Sequence, residues 1–167
     1  MITIDRCKDG DIRALEALLS AMGKQIDEGY FEFCLQEQQA GRRELYILRK
    51  DGKDCGYGIL NWTPRYSLYK RLGIAEVQDV NVIPEYRRQG IASNFIEYCE
   101  KTAQDKGHEM IGISVGLTAD YGAAQALYVK RGYIPDGNGV SYDREAVSSG
   151  DNLPIDDDLC LMLIKSF

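Results

Sequence analysis

The chain reads as an α/β protein built on a mixed, mostly antiparallel sheet with a parallel centre and helices packed against it. Three observations predict this. Apolar residues on both sides of Asp51-Gly52 have the pattern of a β-hairpin closed by a two-residue turn. The stretch 74–132 runs strand, turn, helix, strand, helix, a crossover that makes the strands at 74–82 and 110–115 parallel. The continuous apolar run Leu159-Cys160-Leu161-Met162-Leu163-Ile164 suits a strand buried on both faces, so the chain is expected to close inside its sheet.

Each element follows in turn. Ile2-Thr3-Ile4 alternates like a short strand, and Asp9 precedes Ile12, Leu15, Leu18, Leu19 and Met22 at helical spacing. Over 26–41, Tyr30, Phe31, Phe33 and Leu35 give apolar bulk ahead of a polar tail closed by Gly41, which predicts a second helix. The hairpin strands occupy 44–50 and 55–62, a loop spans 64–73, and the strand 74–82 stops at Pro84, which cannot donate to a ladder. Gly90 opens a helix with Ile91, Phe95, Cys99 and Ala103 on one face, ending at Gly107. A strand over 110–115 precedes a helix over 121–131 that Gly132 terminates. Residues 136–158 hold seven acids against one base, Arg144, and read as a solvated loop or hairpin.

Composition narrows the function. With 167 residues, one core and one domain over 1–167 are expected; 44% apolar and 28% charged residues are globular proportions. A net charge of −6 without a basic run repels phosphate backbones, which excludes nucleic acid as a partner. Five dispersed cysteines without a CxxC pair read as reduced, buried thiols. No basic leader and no apolar window near ~18 residues occurs, so a cytoplasmic protein without a membrane span is expected. His108 is the single histidine, too few ligands for a zinc-type site, and no metal is expected.

The chemistry concentrates in Val80-Asn81-Val82-Ile83-Pro84-Glu85-Tyr86-Arg87-Arg88-Gln89-Gly90-Ile91-Ala92. A helix N-terminus exposes N–H groups and partial positive charge, and small residues such as Gly90 and Ala92 let a diphosphate approach that backbone. Further on stands Ala126-Leu127-Tyr128-Val129-Lys130-Arg131-Gly132-Tyr133, at the end of a helix. Alone, Tyr128 would read as a core aromatic beside Leu127.

Together the two segments resemble the GNAT superfamily of acyl-CoA-dependent N-acetyltransferases. The first matches its signature of Arg or Gln, two residues, Gly, one residue, then Gly or Ala; the second matches its helix-ending Leu-Tyr followed by Gly and an aromatic. The resemblance covers about residues 45–135 and implies the acyl-CoA N-acyltransferase fold, whose parallel central strands splay apart. It implies that acetyl-CoA is the cosubstrate, bound by Val80, Asn81, Val82, Arg87, Arg88, Gln89, Gly90, Ile91, Ala92 and Tyr128, with pantetheine against the backbone of Val80 and Val82. Gly112 and Ser114 are small enough to border such a slot. Seven residues before the tyrosine, where many relatives carry Asn, this chain has Tyr121.

The implied reaction is direct transfer to an amine in a ternary complex, with the oxyanion held by a backbone N–H near Val80 and Tyr128 protonating the departing thiolate. A phenol with an ordinary pKa near ~10 remains a donor at neutral pH. An amine acceptor arrives protonated and must lose a proton first. Glu76, eleven residues before Arg87, matches the glutamate that serves as base in the histone-acetyltransferase branch; Asp79 is the second candidate if a bulge turns it outward, and a water relay is the third. Ion pairing at the sheet rim is the bland reading of Glu76.

Gly112-Ile113-Ser114-Val115-Gly116 matches a nucleophile elbow, but no histidine follows Ser114, and His108 reads as a helix-end residue. Gly56-Tyr57-Gly58 lacks the third glycine of a dinucleotide fingerprint. The alternative from another class is a catalytically idle acyl-CoA sensor or adaptor. Trp62, Tyr66, Tyr69 and the segment 25–30 are expected to line the acceptor cleft, and the acidic 136–158 segment would favour a small basic amine or a peptide amine. A homodimer through an exposed final strand completes the expectations.

Overall fold

The computed structural model describes residues 1–167. The strands are β1 (Ile2–Arg6), β2 (Arg43–Lys50), β3 (Lys53–Asn61), β4 (Ala75–Val82), β5 (Met110–Gly116), β6 (Ile134–Tyr142), β7 (Glu145–Ala146) and β8 (Leu159–Ser166). The helices are α1 (Ile12–Met22), α2 (Tyr30–Gln39), α3 (Ser67–Leu72), α4 (Ile91–Asp105) and α5 (Gly122–Lys130). The strand order is β1-β2-β3-β4-β5-β8-β6-β7, a mostly antiparallel sheet with one parallel pair, as expected from the sequence. The chain resolves into two compact units, Met1–Trp62 with Val77–Lys101 and Thr63–Glu76 with Thr102–Phe167.

In the first unit, β1, β2 and β3 form an antiparallel meander. The β2–β3 turn is closed by Asp51 and Gly52, with φ of 51° and 78°, the two left-handed residues that such a turn requires. Side chains alternate across this ribbon, so its two faces bury different helices. Leu45 and Ile47 of β2 with Tyr57 and Ile59 of β3 pack against Leu15, Leu18 and Leu19 of α1 and Phe31, Cys34 and Leu35 of α2. Tyr46 and Gly58 meet α4, where the Phe95 ring lies 5.8 Å from that of Tyr46. Gly58 is needed there, because a Cβ would stand 2.2 Å from the Phe95 ring. Ile91, Phe95, Cys99 and Ala103, the face read from the sequence, are buried.

In the second unit, β8 pairs antiparallel with β5 on one side and with β6 on the other. The final strand is therefore interior, and an exposed edge for a homodimer does not exist at β8. The segment expected as a loop at 64–73 contains α3, a correction with a packing cause: its Tyr69 is wholly buried and its Tyr66 nearly so, in a cluster with Ile74, Cys160 and Met162. The Tyr69 hydroxyl donates to the Leu163 carbonyl at 2.5 Å. Gly112 of β5 makes room for this ring, as an added Cβ would lie 2.4 Å from it. Tyr66 and Tyr69 are thus core residues with rings 4.9 Å apart, and the acceptor-cleft expectation for them is withdrawn. All five cysteines are free and buried. No helix is long and apolar enough to cross a membrane.

Gly112→Ala forces the Tyr69 ring out of its slot and loosens its bond to Leu163. The expected loss is about 1–3 kcal/mol, read as a fall in the thermal midpoint of roughly 3–10 °C.

Candidate functional site

The structure gathers Asp79, Val80, Asn81, Val82 and the turn 87–92 in the first unit, and it holds Glu76 and Tyr128 in the second. β4 starts buried and turns outward: Ala75, Glu76 and Val77 are buried, whereas Asp79 is exposed. Asp79 has φ of 50°, a local departure from extended geometry that acts as a bulge and points its carboxylate out of the sheet. Gly56 on β3 permits this course, since a Cβ there would stand 2.2 Å from the Asn81 carbonyl oxygen. Tyr30, the first residue of α2, donates its hydroxyl to Asp79 Oδ2. Burial first, and then the Asp79 charge, pushes the Tyr30 phenol far up. Lys24 Nζ donates to Asn81 Oδ1 at 2.7 Å, so the chain between α1 and α2 grips the bulged strand at two points.

After Pro84 the backbone makes one short helical turn and then reverses at Arg88 and Gly90, with φ of 58° and 82°. Alternating left-handed residues of this kind turn successive N–H groups toward one concavity. The side chains face the other way. Arg87 Nε donates to the Val82 carbonyl at 3.1 Å and Gln89 Nε2 to the Glu85 carbonyl at 2.8 Å, while Gln89 Oε1 accepts from Lys50 Nζ at 2.5 Å. The Gln89 amide is thereby occupied, and what it offers a ligand is its backbone N–H. Inside α4 the Asn94 N–H closes onto Gly90 O at 2.9 Å, leaving the preceding amides as helix-terminal donors. Arg88 in a left-handed conformation was not legible in the sequence, because arginine has no local preference for it.

Tyr128 lies in the last turn of α5 and is 7% exposed. Burial alone pushes its phenol up to about 12, which keeps it a donor across the neutral range. The helix closes as expected at Gly132, with φ of 91°, and the Tyr133 N–H returns to the Tyr128 carbonyl at 3.0 Å. Tyr121, the departure from the family pattern, lies over Gly116 and donates to Asp157 Oδ1 at 2.6 Å; it anchors the segment before β8.

Glu76 is wholly buried and ion-paired to Arg144, with Nη2 to Oε1 at 3.0 Å. Arg144 Nη1 also donates to Ser114 Oγ at 3.1 Å. Sequence reading placed Glu76 but missed Arg144, 68 positions away, and no signal in the sequence joins them. Ser114 lies within β5, so no strand-to-helix elbow presents it. His108 Nδ1 meets the carbonyl of Gly73, the residue that follows α3, at 2.9 Å, and not the last carbonyls of α4 that its place after Gly107 led one to expect. Among the acids of 136–158, Asp136 accepts from Tyr66 at 2.6 Å, Asp143 from Arg65, Asp156 from Tyr142 at 2.9 Å and Asp157 from Tyr121.

Comparison with known proteins identifies the family and the fold. A family model, the acetyltransferase (GNAT) domain, matches residues 41–135. An N-acetyltransferase of uncharacterized specificity from Archaeoglobus fulgidus is 25% identical over 97 residues, which covers 57% of this chain and 62% of that relative. The alignment thus spans less than two thirds of that relative's length. Among solved structures, a GNAT-family protein from Desulfovibrio desulfuricans superposes with a TM-score of 0.73 at 12% identity, over 99% of each chain. A GNAT acetyltransferase from Elizabethkingia anophelis with acetyl-CoA bound has a TM-score of 0.63 at 18% identity, over 99% of this chain and 98% of that one. The chain belongs to the GNAT acetyltransferase family.

Gly90→Ala puts a side chain on a backbone with φ of 82°. An added Cβ meets only Asn94 Nδ2, at 3.5 Å, so the cost is conformational. About 1 kcal/mol of stability should be lost, and calorimetric titration should show acetyl-CoA affinity falling more than stability alone explains.

Proposed function

We propose that the chain is a single N-acetyltransferase domain over 1–167 that moves an acetyl group from acetyl-CoA to a primary amine by direct attack in a ternary complex. The observation that carries the reading is the turn at 87–90, whose left-handed residues and inward-folded side chains leave a row of amides ahead of α4. Amides of Arg88, Gln89, Gly90, Ile91 and Ala92 would hold the diphosphate through N–H donors and the helix dipole. The family match over this segment, and the acetyl-CoA in the Elizabethkingia relative, support that assignment. Val80 and Val82 would offer backbone groups to pantetheine, and an N–H near Val80 would stabilise the oxyanion.

Tyr128 is assigned to the sulfur, as a buried phenol whose raised pKa keeps its proton. The acceptor's proton is assigned to Asp79, directly or through water. Its carboxylate is exposed on the bulge and oriented by Tyr30, whereas Glu76 is wholly buried and ion-paired to Arg144. The acceptor is a small basic amine or a peptide amine. Four acids of 136–158, Asp136, Asp143, Asp156 and Asp157, already accept from neighbouring side chains, and the acceptor's charge is assigned to Asp79, the exposed carboxylate on β4.

Tyr128→Phe should lower turnover by about 10²-fold and leave the acetyl-CoA Kd within about twofold, measured by CoA release and by titration; unchanged turnover would remove Tyr128 from the mechanism. Binding without release against polyamines, aminoglycosides and peptide N-termini would favour the sensor reading.

The pH profile carries a sign. The donor must be protonated, and its pKa is raised to about 12, so turnover should climb as the acceptor deprotonates and show no descending limb below about pH 11. A fall in kcat centred near pH 9 would contradict a buried phenol as donor.

A further inference from the structure

The Glu76–Arg144 pair has a geometry that simple charge neutralisation does not require. Asp143 and Arg144 form the two-residue turn between β6 and β7, with Tyr142 opposite Glu145, and both are left-handed, with φ of 48° and 68°. Two consecutive non-glycine residues in that region are held there by the surrounding structure. The turn points the Arg144 side chain inward, where it is 22% exposed, and two nitrogens of one planar group take different strands: Nη2 meets Glu76 of β4 at 3.0 Å and Nη1 meets Ser114 of β5 at 3.1 Å. Outside the pair, Arg65 donates to the Asp143 side chain and also to its carbonyl, at 3.2 Å, which holds the tip from its other side.

The contact to Ser114 is a directed N–H bond and that to Glu76 a charge contact; one planar guanidinium supplies both from fixed positions, whereas an ammonium is a single point with rotating donors. We infer that Arg144 is a positioning residue: it staples β4 to β5 across Glu76 and Ser114 and so sets the strand spacing on which acetyl-CoA binding depends, with Glu76 as its buried counter-ion and not the proton acceptor. This rests on the proposed acetyl-CoA reading for its ligand, but the staple itself is a statement about three side chains. Ser114, which the nucleophile-elbow pattern singled out, acquires a role here as the second anchor.

The test combines thermal denaturation with calorimetric titration of acetyl-CoA. Arg144→Met removes the ion-pair partner of a buried carboxylate and should lower the midpoint by about 10 °C. The double variant Glu76→Gln/Arg144→Met should regain several degrees over Arg144→Met, since it also removes the buried charge; no recovery would overturn the pairing. Ser114→Ala should raise the acetyl-CoA Kd by about threefold with a midpoint near native, and Arg144→Lys should recover midpoint but not affinity. A normal Kd in both of these variants, or lysine restoring both properties, would overturn the positioning role and leave a stability device. Should Arg144→Met fail to fold, these two conservative variants still decide the matter. If the native chain binds no acetyl-CoA, the functional reading falls, while recovery in the double variant would still establish the pair.

Discussion

A helix cannot satisfy its own first N–H groups, and the design of the candidate site follows from where this chain leaves them. Most helices fill that position with a Ser, Thr, Asp or Asn side chain. Here α4 is preceded by Gly90, which has no side chain to offer, and the neighbours that carry donors, Arg87 and Gln89, spend them on the carbonyls of Val82 and Glu85. The turn thus satisfies its acceptors internally and leaves its donors outward. Left-handed backbone at Arg88 and Gly90 is the conformational cost of that polarity. A glycine on β3, Gly56, and the bulge at Asp79 allow the strand feeding the turn to follow its course without a collision.

Charge is distributed on the same principle. The net charge of −6 suggested a diffuse acidic field that would draw a cation to the 136–158 segment. The structure divides the acids by their partners instead. Asp156 and Asp157 accept from the phenols of Tyr142 and Tyr121, which ties the irregular chain before β8 to the rest of its unit, and Asp136 of β6 accepts from Tyr66 ahead of α3. Glu76 is the one of these carboxylates that is fully withdrawn from water, and a buried carboxylate persists only with a fixed positive partner. Asp79 is left as the carboxylate on β4 that faces solvent.

What the sequence disclosed and what it hid divide along the range of the interactions involved. The Asp51-Gly52 turn and the buried stripe of α4 were legible because each is written in adjacent or periodic residues; the apolar run of the final strand pointed to its interior place, although an exposed edge there was expected as well and β8 is paired on both sides. Helix α3 was not: Ser67–Leu72 is shorter than two turns, and its reason for existing is Tyr69, whose hydroxyl finds its acceptor at Leu163. The same long reach explains why Tyr66 and Tyr69 read as cleft aromatics and proved to be core. Left-handed Arg88 and Arg144 are likewise conformations for which arginine has no local preference, and Arg144 is held in its own by contacts to Glu76 and Ser114. Glu76 was located from its spacing to Arg87, but its surroundings depend on a turn 68 residues later.

Desolvation gives Tyr128 its availability and also limits what it does in the proposed reaction. A phenol raised to about 12 never loses its proton at working pH, yet it is a weaker acid than the thiol it would create. With a thiol near its ordinary ~8.5, full transfer from the phenol would be uphill by roughly 5 kcal/mol. Donation of a hydrogen bond as the carbon–sulfur bond lengthens is not subject to that penalty and becomes stronger as charge gathers on sulfur in a site shielded from water. The attacking nitrogen releases a proton in the same step, so the proton inventory closes without a lasting phenolate. Burial of Tyr128 therefore suits stabilisation of a departing thiolate better than its outright protonation, and places the proton's final exchange with solvent after the acyl group has moved.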